Sequence, residues 1–158
     1  RFCCVSHLNV CSCDQFPQGV MIVEYVGEVI RAAMGDAREQ RYEDDGLGSC
    51  YLFRLDRDAI VDATRIGGMA RFINHCCDVR QQNACSMTFP VFFETSKSLQ
   101  PNADARHIAL DNGEVRIVIS AQRTIRAGEE VTYDYKFEYE DDKLDCLCGS
   151  KNCRGFMN

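Results

Sequence analysis

The chain has 158 residues, 46% hydrophobic and 27% charged, with a formal net charge of −6. That length suits one domain with a real core, burying roughly 70% of its unfolded surface. The acidic balance argues against a protein built mainly to hold nucleic-acid backbone and suits a basic partner such as a lysine-rich peptide.

No apolar run reaches the ~20 residues of a membrane span, and no charged-then-apolar leader is visible. Eleven cysteines, an odd number, without a secretory signal read as reduced thiols. Some are metal ligands and the rest small buried apolar residues.

Residues 1–19 read as irregular, and the spacing of Cys3, Cys4, Cys11 and Cys13 matches no zinc pattern. Residues 20–30 read as a strand region in which Gly27 marks a bend or bulge. Residues 33–45 predict a short exposed helix stopped by Gly46 and Gly48, followed by short strands over 51–55 and 59–61. A helical turn is expected over 69–74 and a strand over 87–93, with a polar loop over 95–106. Residues 107–110 and 115–120 predict a hairpin around Asn112-Gly113, and 131–135 a final strand. The fold class is mainly β with short helices.

Cys146, Cys148 and Cys153 place three thiols within eight residues. Zinc in a structural site takes four ligands in a closed tetrahedron, so a fourth must come from upstream. Cys76 and Cys77 follow Asn74-His75 and stand where that ligand can be found. Asn and His both offer donor and acceptor groups, which suits a ligand with an adenine edge or an amino-acid end. The alternatives are a helix cap by Asn74 and a structural His75. In Glu130-Val131-Thr132-Tyr133-Asp134-Tyr135, strand alternation puts Val131, Tyr133 and Tyr135 on one side. Two phenols there either line a narrow slot or pack a core.

Taken together, Glu24-Tyr25-Val26-Gly27-Glu28, Ser49-Cys50-Tyr51-Leu52-Phe53-Arg54, Arg71-Phe72-Ile73-Asn74-His75-x-Cys77, Gly128-Glu129-Glu130-x-Thr132-Tyr133-Asp134-Tyr135 and the terminal cysteines resemble, in order, a SET-domain protein lysine methyltransferase. The ending looks most like the trithorax and mixed-lineage-leukaemia branch, which methylates the fourth residue, a lysine, of histone H3. The resemblance implies a SET fold of small curved sheets with a C-terminal pseudoknot and a post-SET zinc-binding tail. Its divisions would be an irregular segment 1–19, a SET domain 20–138 with an insertion around 87–106, and a tail 139–158.

By position, the resemblance implies Tyr135 as the catalytic tyrosine with Tyr25 beside it, and Tyr133 as the residue limiting methyl number. Asn74, His75, Tyr51 and the backbone of Leu147 would contact S-adenosylmethionine. Zn2+ would sit on Cys77, Cys146, Cys148 and Cys153. The implied partners are the histone H3 tail and adaptor subunits of a chromatin complex, in the nucleus, without a membrane or direct sequence-specific nucleic-acid binding.

Three departures from the family pattern stand out. Residues 1–19 lack its Gly-x-Gly cofactor loop, which reads as a divergent or truncated start. Its Pro-Asn step is missing after Cys77-Asp78, with Asn83 as a displaced equivalent. Residues 87–106 carry an insertion read as a surface loop. An enzyme therefore stands against a catalytically weak or inactive SET-like module that binds a histone tail or partner protein.

Overall fold

Strand pairing begins earlier in the chain than the sequence suggests. The computed structural model describes residues 2–6, 9–77, 100–137, 141, 143–150 and 152–158. Strands β1 (Phe2–Ser6) and β2 (Asn9–Ser12) pair antiparallel, where an irregular segment was expected. The polar composition hides the reason, which is tertiary. The Ser12 amide donates to the Glu129 carbonyl at 3.0 Å and the Val131 amide to the Val10 carbonyl at 2.9 Å. β2 thus runs along residues 128–131, with Val10 and Ser12 fully buried between them and the core.

The expected strand region 20–30 divides into β3 (Met21–Glu24) and β4 (Gly27–Arg31), which join different sheets. The change of sheet falls at Tyr25-Val26. Gly27 carries the expected bulge, because the register shifts between Gly27 and Glu28. A side chain at Gly27 would meet the Asp62 carbonyl oxygen at 2.5 Å, so only glycine permits this approach.

Helix α1 (Gly35–Asp44) follows a 3-10 turn at Ala32–Met34 and ends before Gly46, whose φ of +69° favours glycine. Its surface is polar; Arg38 and Tyr42 tie it to the sheet, and Glu39 accepts from the Cys50 thiol at 3.2 Å. Arg38 Nη1 reaches Asp62 at 2.8 Å and Glu28 at 2.7 Å, and the Tyr42 hydroxyl donates to Asp62 at 2.6 Å. Asp62 is 2% exposed. Burial pushes its carboxyl up, but hydrogen bonds from Tyr42, Arg38 and Thr64 outweigh that and hold it below the usual carboxylate range.

Strands β5 (Leu52–Arg54) and β6 (Ala59–Gly67) complete a sheet of order β4-β6-β5. β6 runs six residues beyond its expected end at residue 61; β5 pairs with it as far as Asp62, and β4 pairs at Asp62 and again, past a register shift, at Gly67. A 3-10 turn at Met69–Phe72 leads into β7 (Asn74–His75). Asn74 therefore lies on a strand. The helix-cap alternative fails, since Gly68 and Ile73 flank the turn and no side chain caps it.

The expected strand over 87–93 lies outside the described residues. Residues 103–106, read as loop, belong instead to β8 (Ala103–Ala109), which pairs with β9 (Val115–Ala121) around Asn112-Gly113. The second sheet has the order β3-β9-β8. β10 (Thr132–Tyr133) is shorter than the expected 131–135 and lies parallel to β7, pairing Thr132 with Asn74 and Tyr133 with His75. Ile73, Ile117, Ile119, Ile125 and Val131 are fully buried around this crossing. The described residues are mainly β with one short α-helix. No helix among the described residues is long and apolar enough to cross a membrane.

Candidate active site and thiol cluster

The parallel step of β7 against β10 gathers the residues singled out above. Tyr133 is buried, with its ring 4.9 Å from that of Tyr135. Phe53 stacks on Tyr133 at 6.5 Å and packs on Tyr25 at 5.1 Å, so the aromatic wall runs Tyr25, Phe53, Tyr133, Tyr135. The sequence reading passed over Phe53, although strand alternation places it with Tyr51 on one face of β5.

Two phenols in this wall are held from behind. The Tyr25 hydroxyl donates to the Tyr51 carbonyl at 3.1 Å, and the Tyr135 hydroxyl donates to the Ile73 carbonyl at 2.7 Å. Each hydrogen is committed to backbone, which leaves the oxygen lone pairs as acceptors. Burial, then the neighbouring Tyr51, pushes Tyr135 up to about 12. Burial likewise raises Tyr25 and Tyr133. All three stay neutral phenols near pH 7. They can shape and polarise a site and do not act there as phenolate bases.

His75 is oriented by the same strand step. The Tyr135 amide donates to its Nδ1 at 3.1 Å, so the neutral ring carries its proton on Nε2. Burial lowers its pKa further, while Asp134, at 3.7 Å from Nδ1, opposes that. Nε2 is enclosed without a hydrogen-bond partner. Beside it, the Asn74 amide donates to Glu130 Oε1 at 2.9 Å. Arg71 lies 4.6 Å over the Phe72 ring and 5.7 Å over Tyr51, and donates to the Ala63 carbonyl at 2.6 Å. Amide, imidazole and half-buried Tyr51 ring meet the needs of a ligand with both a polar and an aromatic end. They fit the expected sulfonium cofactor.

Asn102 was missed in favour of Asn83, which lies outside the described residues. Asn102 is 0% exposed. Its Nδ2 donates to the Glu130 carbonyl at 2.8 Å and to Glu129 at 3.1 Å, and its Oδ1 accepts from the Thr132 amide at 2.9 Å. Asn102 follows Pro101, and residues 78–100 separate this dipeptide from Cys77. The signal was the dipeptide itself, directly ahead of a strand.

Cys77 Sγ lies 3.6 Å from Cys146, 3.9 Å from Cys148 and 3.5 Å from Cys153, and all four sulfurs lie within 4.8 Å of one another. Zinc–sulfur bonds of about 2.3 Å in a tetrahedron set sulfurs about 3.8 Å apart, so the thiols fit zinc. The Arg154 amide donates to Cys77 Sγ and the Gly155 amide to Cys153 Sγ, each at 3.3 Å, as suits thiolate ligands. Cys76 is buried and stands apart from this cluster. Leu147, between two of the thiols, is 93% exposed. An apolar side chain so placed is available to cover a ligand.

Comparison with known proteins agrees with this geometry. The model of the SET domain matches residues 8–136. Histone-lysine N-methyltransferase set-2 of Caenorhabditis elegans is 47% identical over 138 residues, covering 87% of this chain and 8% of the relative. The H3 lysine-4 specific histone-lysine N-methyltransferase of Saccharomyces cerevisiae is 49% identical over 148 residues, 92% of this chain and 12% of its own. Human histone-lysine N-methyltransferase SETD1B is 42% identical over 158 residues, 98% and 7% respectively. The chain spans 7% to 12% of the length of these relatives.

Proposed function

Because the chain belongs to the SET-domain family, we propose that it methylates a protein lysine from S-adenosylmethionine, the substrate being the fourth residue of histone H3. The observation that carries this is the wall of Tyr25, Phe53, Tyr133 and Tyr135 set against Asn74-His75 by one parallel strand step. The relatives named for lysine-4 specificity support the choice of lysine.

When bound, S-adenosylmethionine supplies a methyl group on a cationic sulfur. The protein's part is to bring a neutral lysine amine in line with it. Removing the proton of a free lysine at pH 7 costs about 4.6 kcal/mol, from a pKa near 10.4. An apolar channel of neutral phenols disfavours the ammonium form, and the proton leaves to solvent. Tyr135 and Tyr25 hold their oxygens toward the site by donating backward to Ile73 and Tyr51. Orientation then supplies much of the acceleration. The Tyr133 hydroxyl takes room that a methylated amine would need, so monomethylation dominates.

Asn74, His75, Tyr51 and Leu147 are the cofactor contacts in this reading. Cys77, Cys146, Cys148 and Cys153 hold a structural zinc that fixes the post-SET tail beside them. The work is nuclear, on chromatin, with adaptor subunits. Titration with S-adenosylmethionine followed by a histone H3 peptide scan with mass spectrometry tests the reading. Binding and methyl transfer to the fourth-residue lysine are expected. Binding without transfer would instead favour a tail-binding module, and absence of binding removes the proposal.

A further inference from the structure

Tyr51 stands just outside β5, whose ladder with β6 reaches only as far as Leu52 and Asp62. Its backbone is nevertheless held on both sides. The Ala63 amide donates to the Tyr51 carbonyl at 2.9 Å, and the Tyr51 amide donates to Thr64 Oγ1 at 2.9 Å. A side-chain hydroxyl thus does for the Tyr51 amide what a strand carbonyl does elsewhere in the sheet. With donor and acceptor both taken, the ring of Tyr51 and the direction of its carbonyl are set together.

Thr64 is itself anchored. Its amide donates to Asp62 Oδ1 at 3.0 Å, and the other oxygen of Asp62 holds Arg38 and Tyr42 of α1. Arg71 Nη1 donates to the Ala63 carbonyl at 2.6 Å and to the Thr64 carbonyl at 3.4 Å, while its guanidinium lies over the Tyr51 ring. The Tyr51 carbonyl accepts a second bond, from the Tyr25 hydroxyl at 3.1 Å. A continuous set of hydrogen bonds therefore runs from Asp62 through Thr64 and Tyr51 to Tyr25.

We propose that Thr64 is a positioning residue for methyl transfer: its hydroxyl fixes Tyr51, and the Tyr51 carbonyl in turn aims the Tyr25 hydroxyl. The inference rests on the methyltransferase reading above. Thr64 acts only through other residues, and what it supplies is direction. Without its hydroxyl the part-buried Tyr51 amide has no acceptor, a cost that turning toward water relieves. The Tyr51 carbonyl shifts with that turn, and the Tyr25 hydrogen loses its fixed partner. The Tyr25 oxygen then no longer points one way, and the orientation that speeds transfer is lost.

The test is a double-mutant cycle in the full chain, read as methyl transfer to the histone H3 peptide. Thr64→Val keeps the branched shape and removes the acceptor, while Thr64→Ser keeps the hydroxyl. Thr64→Val should lower kcat roughly tenfold, the scale of one hydrogen bond. Thr64→Ser should keep kcat well above that of Thr64→Val. In a Tyr25→Phe background, which has no hydroxyl to aim, Thr64→Val should change kcat by less than about twofold. Where Tyr25→Phe leaves no measurable transfer, the contrast between Thr64→Ser and Thr64→Val decides alone. If Thr64→Val does not fold, Thr64→Ala takes its place in each comparison.

Three results overturn the positioning role and leave the methyltransferase reading intact. They are a wild-type kcat in Thr64→Val, a loss as large in Thr64→Ser, and a loss that persists in full in the Tyr25→Phe background. A wild-type protein that transfers no methyl group removes that reading and this inference with it.

Discussion

Around Tyr133 and Tyr135 the ties are made by the protein itself: backbone carbonyls take the phenol hydrogens, His75 takes the Tyr135 amide, and buried isoleucines back the wall. Beyond residue 143 the ties are of another kind. Leu144 and Leu147 are exposed, and what draws the described tail to the core is a set of thiols meeting at Cys77. An ion pair of Arg154 with Asp134 adds to it, and within the tail itself Asp145 bridges to Phe156. The first region is stable by burial, which no solution condition removes selectively. In the proposed reading the second depends on zinc, which a chelator can take away. One site is thus assembled from a permanent wall and a removable one.

The sharpest way to break that contrast is at the clasp. Structural zinc contributes on the order of 10–16 kcal/mol in small peptides. Cys77→Ser should therefore lower bound zinc, read by metal analysis, and abolish activity while the far-ultraviolet circular dichroism of the core persists. Cys76→Ser should spare both metal and activity. Loss of zinc in Cys76→Ser with retention in Cys77→Ser would reassign the ligand.

The core side can be tested at Asp62. Removing one partner from a buried ion pair costs about 3–5 kcal/mol, so Asp62→Ala should lower stability by that amount in denaturant titration, with zinc content unchanged at low denaturant. Acid tests the same group. Its folded pKa is depressed, so its contribution is complete above the unfolded value of about 3.9 and fades as pH falls through the lower folded value. Asp62→Asn should begin less stable and show a shallower acid dependence below about pH 4.

Within the aromatic wall the expected effects are catalytic. Tyr135→Phe should lower kcat by about 10²–10³, the scale of losing one positioned polar group, while stability shifts by about 1 kcal/mol. The rate should climb with pH as the lysine amine loses its proton. No break from Tyr135 is expected before its own titration at about 12. The smallest change is in product: Tyr133→Phe should raise the di- and trimethyl yield in peptide mass spectrometry, and an unchanged ratio would count against its proposed role.

The order of motifs made the thiol cluster and the aromatic positions legible, because ligand spacing and strand alternation are local properties. Gly27 was legible for the same reason. What escaped was set by distant partners. β2 looks irregular since the segment it runs along, 128–131, comes more than a hundred residues later, and the far end of β6 is held by the pairing of Gly67 with Gly27. Asn102 was hidden by 78–100, which separate it from the motif it completes. Glu130 entered only as part of a motif, and its tie to Asn74 was hidden because the two lie 56 positions apart.

That distance has a consequence for how the protein comes into being. The β7–β10 step joins residues 58 apart, by the pairing of Asn74 with Thr132, and the clasp joins Cys77 to Cys153, 76 apart. Closing such loops is slow compared with zipping the β8–β9 hairpin. The β8–β9 hairpin is therefore expected to form before either long closure. The proposed site is complete only once both long closures have been made, so its assembly is coupled to contacts between distant parts of the chain.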